Sequence, residues 1–434
     1  MVGSRTWALA AGLLALGVVA LGGIAGSKAA GGADSYGYIS QADLFLEGRL
    51  VEPAPWIGQV PWPGAQHAFT PLGWVPRRSE SVIVPQYAPG LPLIMAAAKL
   101  VAGHCAVFWV SPIAGGLVVL LTFSIGRRLV SPGVGLAAAW LVAASPVFLF
   151  MVLSPMSDVP VTAAWLLVFW AVARGTAPAS MAAGAAAALA VLIRPNLAPV
   201  AAPVALWLTY DVWRTEPLRR QAAAWRLGLF VLACVAGAAA VAYVNTVRYG
   251  SPLKSGYEPM ALLYAWANIV PNAGRYAGWF VETQTVIPLA GLVALLLPLR
   301  RVWPAPGQMG LLLSSLAMVA FVCLQYFAYA EFEEWSFLRF FLPCWPIVMI
   351  GCAAAFRPVA QLAGRTGVVA AGTAAVVLGL WTIQFARADR VFDTARVESK
   401  YFLIGQIVRQ IVEPNAVVLS RQHSGSIRYY SGRM

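Results

Sequence analysis

Two of the few acids in this chain sit where a carboxylate could act on a polar ligand. Asp34 lies in Gly31-Gly32-Ala33-Asp34-Ser35-Tyr36-Gly37-Tyr38. The glycines allow close backbone approach, and Tyr36 and Tyr38 can stack on a sugar ring. A carboxylate there can act as a general base toward a hydroxyl. It can equally belong to a helix start, with Asp34 or Ser35 as N-cap of an amphipathic helix through Leu50. Asp158, in Ser154-Pro155-Met156-Ser157-Asp158-Val159-Pro160, is the only acid between Glu80 and Asp211. It reads as a supporting acid or metal ligand, or as the cap of a helix that Pro160 helps to begin.

Cations that suit a phosphate accompany these acids. Arg194, in Leu192-Ile193-Arg194-Pro195-Asn196, is a guanidinium at a break between two apolar stretches. Its planar fork suits a phosphate, although the same side chain can snorkel to headgroups. Arg339 follows the acidic, aromatic run Glu331-Phe332-Glu333-Glu334-Trp335. The turn-rich loop from Tyr249 brings Lys254, Tyr257 and Glu258 together. Lys254 and Arg339 are further phosphate candidates, Tyr257 a substrate-binding candidate, and Glu258 a second supporting acid or metal ligand. The plainer readings are a connector for the loop and an interfacial aromatic belt for the acidic run.

Other chemistries lack their motifs. His67, His104 and His423 are isolated, with no HExxH spacing, and the five cysteines form no CxxC pair. No Walker A, GxGxxG or GxSxG motif occurs.

The elements that must position these residues follow from composition. Hydrophobic residues make up 60% of the 434 and charged residues 11%, with mean hydropathy +0.73. Soluble proteins carry roughly 25% charged residues, so a water-facing surface cannot be assembled here. The chain is a polytopic membrane protein, and its net charge of +13 reflects membrane topology rather than nucleic-acid binding.

A bilayer core takes about 20 helical residues. The apolar runs predict eleven spans: 7–26, 107–125, 134–151, 159–173, two short ones within 178–210 meeting at Arg194-Pro195-Asn196, 227–247, 283–299, 309–327, 340–356 and 368–385. With the N-terminus inside, every inner loop is basic, and all acids except Asp211 and Glu216 lie outside. The segment 88–103 must then not cross, since crossing would reverse that pattern, and it reads as an interfacial or re-entrant helix. The expected architecture is an all-α polytopic membrane protein with about 11 transmembrane helices. Residues 1–385 form the membrane domain, with a long first outer loop over about 27–106 that carries interfacial helices. Residues 386–434 form a short outer α/β tail, helical near 401–411 with a strand over 416–420. Either the tail docks on the loops or the sequence is a truncated copy of a longer protein. The expected location is the plasma (inner) membrane, N-terminus cytoplasmic and C-terminus outside.

Order, spacing and sidedness of several short motifs carry a resemblance. They are Asp34 after the first span, Pro85-Gln86-Tyr87-Ala88-Pro89-Gly90-Leu91-Pro92 late in the first loop, Asp158, Leu192-Ile193-Arg194-Pro195-Asn196, Tyr249-Gly250-Ser251-Pro252-Leu253, Leu338-Arg339-Phe340 and Ser420-Arg421-Gln422-His423-Ser424-Gly425-Ser426. Together they resemble the GT-C membrane glycosyltransferases, most of all the protein O-mannosyltransferase and aminoarabinose transferase branch. The resemblance implies transfer of a sugar from a polyprenyl-phosphate donor to an acceptor hydroxyl at the outer face, with inversion, and puts Asp34 on the family's first-loop acid. The acceptor, whether lipid, glycan or protein, is not identified, and a divalent cation is the one cofactor left open. The family's acidic pair is not adjacent here: Ser35 follows Asp34, and the next acids are Asp43 and Glu47. A lipid or solute transporter or flippase is the rival class, disfavoured by acids gathered at span ends rather than mid-membrane. A non-catalytic membrane scaffold is the other.

Overall fold

Apolar runs in a bilayer fold as helices because a helix satisfies its backbone groups internally. The computed structural model describes residues 4–433 apart from 60, 62, 78, 79, 258, 298 and 306. Helix α1 (Ser4–Ala25) leads to α2 (Gly32–Leu46), the first helix of the first long loop. That loop also holds the short α3 (Ala65–Ala68) and α4 (Gly90–Ala102). At 13 residues, α4 is about 20 Å long, too short to span a bilayer core alone. It packs on α2, as an interfacial element would.

A three-stranded antiparallel sheet, unanticipated from the sequence, completes the loop. Strand β1 (Glu52–Pro53) and β2 (Trp74–Arg77) flank β3 (Val82–Pro85). Val75 faces Val84 and Glu52 faces Ile83 across the ladders. Strand β3 delivers the chain directly to Gln86 and Tyr87.

The apolar bundle follows with α5 (Val110–Leu129), α6 (Pro132–Ala143), α7 (Pro146–Val152), α8 (Asp158–Val172), α9 (Ala177–Ile193), α10 (Ala201–Arg214) and α11 (Pro217–Tyr249). Helix α8 is apolar all round and buried on nearly every face, which makes it a central helix. Helix α11, by contrast, exposes Leu232, Val235 and Tyr243 as a lipid-facing helix would. Its 33 residues reach about 50 Å, beyond a bilayer core at one or both ends. The break expected near Arg194-Pro195-Asn196 is present: Arg194 ends α9, and a 3-10 segment, Pro195–Val200, precedes α10.

The remainder comprises α12 (Ile269–Gln284), α13 (Leu289–Leu296), α14 (Met309–Phe327), α15 (Trp345–Leu362), α16 (Gly364–Ala388), α17 (Thr394–Ile411) and α18 (Ser424–Ser431). A 3-10 segment, Trp335–Cys344, leads into α15. Among the described residues, six helices are long and apolar enough to cross a membrane, and eight spans result if each bent pair counts as one. One bend, 67°, divides α6 from α7 at Pro146, and the other, 118°, divides α12 from α13. The second differs from the span expected over 283–299. Thr285 adopts φ +67° and Pro288 lacks an N–H, so Thr283 and Gln284 end α12 and only the eight residues of α13 follow.

The tail also differs from expectation. Residues 416–420 pair with no strand, so the described tail is helical rather than α/β, because an isolated strand has no ladder partner. The tail docks on the first long loop. Tyr429 donates to Asp43 at 2.7 Å, Arg428 pairs with Glu52 at 2.6 Å, and Ser426 donates to the Ala30 carbonyl at 2.7 Å. The Ala30 amide in turn donates to the Tyr430 hydroxyl at 2.7 Å. These contacts hold the chain just before α2, and hence the turn that carries Asp34.

Candidate active site at the ends of the helices

Five segments far apart in sequence converge on one polar cluster. They are the first turn of α2, the stretch after β3, the first turn of α8, the end of α9 and the 3-10 segment before α15. Asp34 accepts from the Tyr87 hydroxyl at 2.7 Å through one carboxylate oxygen. Its other oxygen pairs with Arg339 at 3.1 Å. Asp158, wholly buried, pairs with Arg194 at 2.6 Å, and Arg194 Nε donates to Ser157 Oγ at 3.2 Å. Tyr38 donates to the same Ser157 Oγ at 3.1 Å, joining α2 to α8. Arg339 lies within electrostatic reach of Asp158 and Arg194 as well, so the two ion pairs form one cluster.

Local structure explains the placement of each acid. Gly31, not Asp34 or Ser35, is the N-cap of α2, and Asp34 sits in the first turn with its carboxylate directed to Tyr87 and Arg339. Ser157 caps α8 without a side-chain bond, and Asp158 opens the helix. Both carboxylates therefore lie at helix N-termini, where the macrodipole favours negative charge. Neither spends its oxygens on the capping bond that the plainer reading required. Gly37 lets the Tyr87 ring lie on α2, since a Cβ there would overlap it.

The tyrosines divide. Tyr38 packs on Tyr87 with ring centroids 4.8 Å apart, and Tyr257 meets Tyr87 edge-on at 6.2 Å. Burial, reinforced by the negative charge of Asp34, pushes the phenols of Tyr38 and Tyr87 well above their usual range. Burial and then the phenol of Tyr38 do the same for Tyr257. All three phenols thus stay neutral near pH 7, and those of Tyr38 and Tyr87 donate hydrogen bonds. Tyr36, two positions from Tyr38 and so on another face of α2, packs on Tyr429 of the tail instead. Lys254 is exposed and forms no ion pair among the described residues. Glu258 lies outside the described residues.

Sequence reasoning does not single out Tyr87, Ser157, Asn196 or Tyr326 as site residues. Tyr87 and Ser157 stand in motifs marked by other members, and Asn196 adjoins Arg194. Asn196 donates to the Tyr326 hydroxyl at 3.0 Å, but Tyr326 sits inside an apolar run with nothing to mark it.

Two polar atoms in the cluster have no partner among the described residues: Asp158 Oδ2 and Arg194 Nη1, both buried. They can receive a donor and an acceptor, respectively, from a ligand. A metal fits less well. No group of three His, Cys, Asp or Glu residues gathers among the described residues, and each acid already faces a guanidinium.

Comparison with known proteins bears on the family and the fold. Residues 86–240 match the family model of dolichyl-phosphate-mannose-protein mannosyltransferases. That stretch holds Tyr87, Asp158 and Arg194 but not Asp34 or Arg339. The structure superposes on ArnT from Cupriavidus metallidurans, solved with undecaprenyl phosphate, with a TM-score of 0.62. The likeness covers 99% of this chain and 85% of that one. The chain has the GT-C membrane glycosyltransferase fold. The motif-based resemblance is thereby borne out at the level of fold, although the ArnT identity is only 12%. The same GT-C fold relates the chain to an Archaeoglobus fulgidus oligosaccharyltransferase solved with Zn and sulfate. There the TM-score is 0.56 at 14% identity, over 99% of this chain and 62% of that one. It also relates it to AglB from the same organism, in complex with an inhibitory peptide and a dolichol-phosphate. That match has a TM-score of 0.51 at 12% identity, over 98% of this chain and 59% of that one. This chain thus spans less than two thirds of each archaeal chain. No curated protein sequence matches it.

Proposed function

We propose that the protein transfers a sugar from a polyprenyl-phosphate-linked donor to an acceptor hydroxyl at the outer face of the membrane, with inversion at the anomeric carbon. The observation that carries this reading is the convergence of Asp34, Arg339, Asp158 and Arg194 on one cluster rimmed by neutral tyrosines. The acceptor oxygen attacks the anomeric carbon while its proton passes to Asp34. The bond from that carbon to the phosphate oxygen breaks, and the electron pair leaves on the lipid phosphate. Arg194, through its unpartnered Nη1, and Arg339 stabilise the departing phosphate, the larger share of catalysis in sites of this kind. Asp158 orients Arg194, and Tyr38, Tyr87 and Tyr257 present hydroxyls and ring faces to the sugar. Lys254 and Glu258 belong to the loop beside Tyr257 and are proposed as an outer phosphate contact and a supporting acid. Tyr36 supports the sugar site from the far face of α2.

The lipid chain has a place to lie. An apolar groove of about 570 Å³ between α4, α5, α8 and α9 is lined by Ala98, Trp109, Ile113, Ala163 and Leu189. Its lining includes Pro160, two residues along α8 from Asp158. We assign the first isoprene units to this groove. The proposed topology retains eleven crossings in the inner membrane, N-terminus cytoplasmic and C-terminus outside. The bent pairs α6–α7 and α12–α13 are each counted as one crossing, the shorter helices α8, α9 and α10 as crossings, and α4 as interfacial. Residues 1–385 form the catalytic membrane domain, and 386–434 form its outer tail.

The test is sugar release from a polyprenyl-phosphate donor by purified protein in lipid. Asp34→Asn keeps size and hydrogen bonding but removes basicity, and turnover falls about 10²-fold or more. Asp158→Asn loses less. Near-wild-type turnover by Asp34→Asn moves the base elsewhere.

A further inference from the structure

Arg248, at the C-terminal end of α11, is among the largest fully buried side chains, with 1% exposure. A buried guanidinium is costly unless its donors are matched. Among the described residues no carboxylate pairs with it. The Tyr249 phenol lies beside it, its Nη atoms meet carbonyls, and its buried Nε has no partner among the described residues. Nη1 donates to the Tyr87 carbonyl at 3.2 Å. The orientation of the Gln41 amide that satisfies both its ends sets its oxygen 2.9 Å from Arg248 Nη1 and 2.8 Å from Nη2. The Gln41 amide nitrogen then donates to the same Tyr87 carbonyl at 3.3 Å. The guanidinium lies over the Phe45 ring at 5.5 Å, which offers a cation its electron-rich face.

The neighbouring residues act on the same stretch. The Tyr249 hydroxyl donates to the Pro85 carbonyl at 2.6 Å. Arg77, at the end of β2, donates to the Val247 carbonyl at 2.8 Å. The end of α11 thus holds the backbone at Pro85 and Tyr87, while Gln41 and Phe45 tie it to α2. Tyr87 is the residue whose hydroxyl donates to Asp34. The planar guanidinium fork spreads its donors over three nitrogens, which neither an ammonium nor a single amide nitrogen reproduces.

We propose that Arg248 is a positioning residue that fixes Tyr87, and through it the Asp34 carboxylate, in the geometry needed for proton transfer. The inference rests on the reading of Asp34 as the base. Arg248 touches none of the reacting groups. It bridges α2 and the Pro85–Tyr87 segment, so that the acid and its hydroxyl partner move as one body.

The test is a double-mutant cycle on turnover in lipid with the full chain. Arg248→Met and Tyr87→Phe each lower kcat, by about 10- to 10²-fold, as a misplaced catalytic group does. Donor KM stays within about twofold. The double variant turns over no more slowly than the slower single, because Arg248 has nothing left to position once the Tyr87 hydroxyl is gone. A merely structural role behaves differently: it lowers the active fraction by the same factor in either background, and multiplying effects overturn the proposal. Where Arg248→Met does not accumulate, Arg248→Lys keeps the buried charge but loses the fork, and the same cycle applies. The Asp34→Asn measurement stands apart. Normal turnover there, with non-additivity between Arg248 and Tyr87 intact, overturns the base and not the link between Arg248 and Tyr87.

Discussion

Separating what the Asp158–Arg194 pair does for folding from what it does for transfer requires both single variants and the double. The pair is tight at 2.6 Å, with the Asp158 side chain wholly buried and that of Arg194 12% exposed. Two unit charges about 4 Å apart attract by roughly 4 kcal/mol at an effective dielectric of about 20. Desolvation of each ion offsets most of that gain, so the intact pair adds little net stability. Breaking it is another matter. Arg194→Met leaves a fully buried carboxylate opposite no cation but the more distant Arg339, at a cost of about 3–5 kcal/mol. The double variant Asp158→Asn with Arg194→Met removes both charges and recovers all but about 1 kcal/mol. Unfolding of the purified protein by denaturing detergent in mixed micelles reads this directly. Activity takes the opposite course. The double variant still lacks the guanidinium proposed to bind phosphate, so turnover and donor affinity stay low while stability returns. Arg194→Lys keeps the charge but loses the fork, and turnover falls while expression holds. If the double variant were as unstable as Arg194→Met, the pairing argument would be wrong. If it were stable and active, Arg194 would have no role in phosphate binding.

Two further outcomes follow from the same geometry. Single cysteines placed near Arg396 are labelled from outside intact cells, and those near Arg219 are not; outside labelling near Arg128 refutes the eleven-crossing topology. Glu398 lies against Gly31, where a Cβ would meet its carboxylate, and burial raises its pKa above the ordinary value of 4.5, with Lys400 opposing. A raised carboxyl pKa means that the folded tail holds the proton more tightly. Docking of the tail therefore weakens as pH rises from 4.5 toward the folded value and is constant above it. Protease sensitivity of residues 394–433 checks this across that window, and Glu398→Gln abolishes the dependence.

Charge makes much of the site legible in the sequence. In a chain with so few charged residues, an acid or arginine at the end of an apolar run stands out, and Asp34, Asp158, Arg194 and Arg339 all stand out in that way. Their pairing does not, because Asp34 and Arg339 are 305 positions apart and nothing local selects one arginine over the other. Tyr87 and Tyr326 escape assignment for a related reason: their hydroxyls matter through partners 53 and 130 positions away. The helical bundle follows from apolar run length, yet the break between α12 and α13 is hidden, since Thr285 and Pro288 sit inside a run apolar enough to pass for a span. The sheet of the first loop is hidden too. Strands of two to four residues are too short for alternation to declare itself.

The charge balance of the cluster gives the proposed chemistry its economy. Two carboxylates and two guanidiniums sum to zero, which lets the cluster stay folded at the membrane surface without a ligand. A sugar phosphodiester brings one negative charge, and the leaving lipid phosphate acquires a second as the glycosidic bond breaks. In the same step the acceptor proton neutralises Asp34, so the cluster becomes net positive by one charge at the moment the phosphate becomes more negative. Arg339, released from its pairing with Asp34 though still near Asp158, is then free to turn its guanidinium to the phosphate. On the proposed chemistry, the base and the phosphate site form one electrostatic unit rather than two adjacent ones. Asp34→Asn breaks that unit twice over, because the amide takes no proton and leaves the cluster with a positive charge before reaction, where it strengthens donor binding without aiding bond cleavage. Tighter donor binding together with lost turnover in Asp34→Asn is the signature this argument requires.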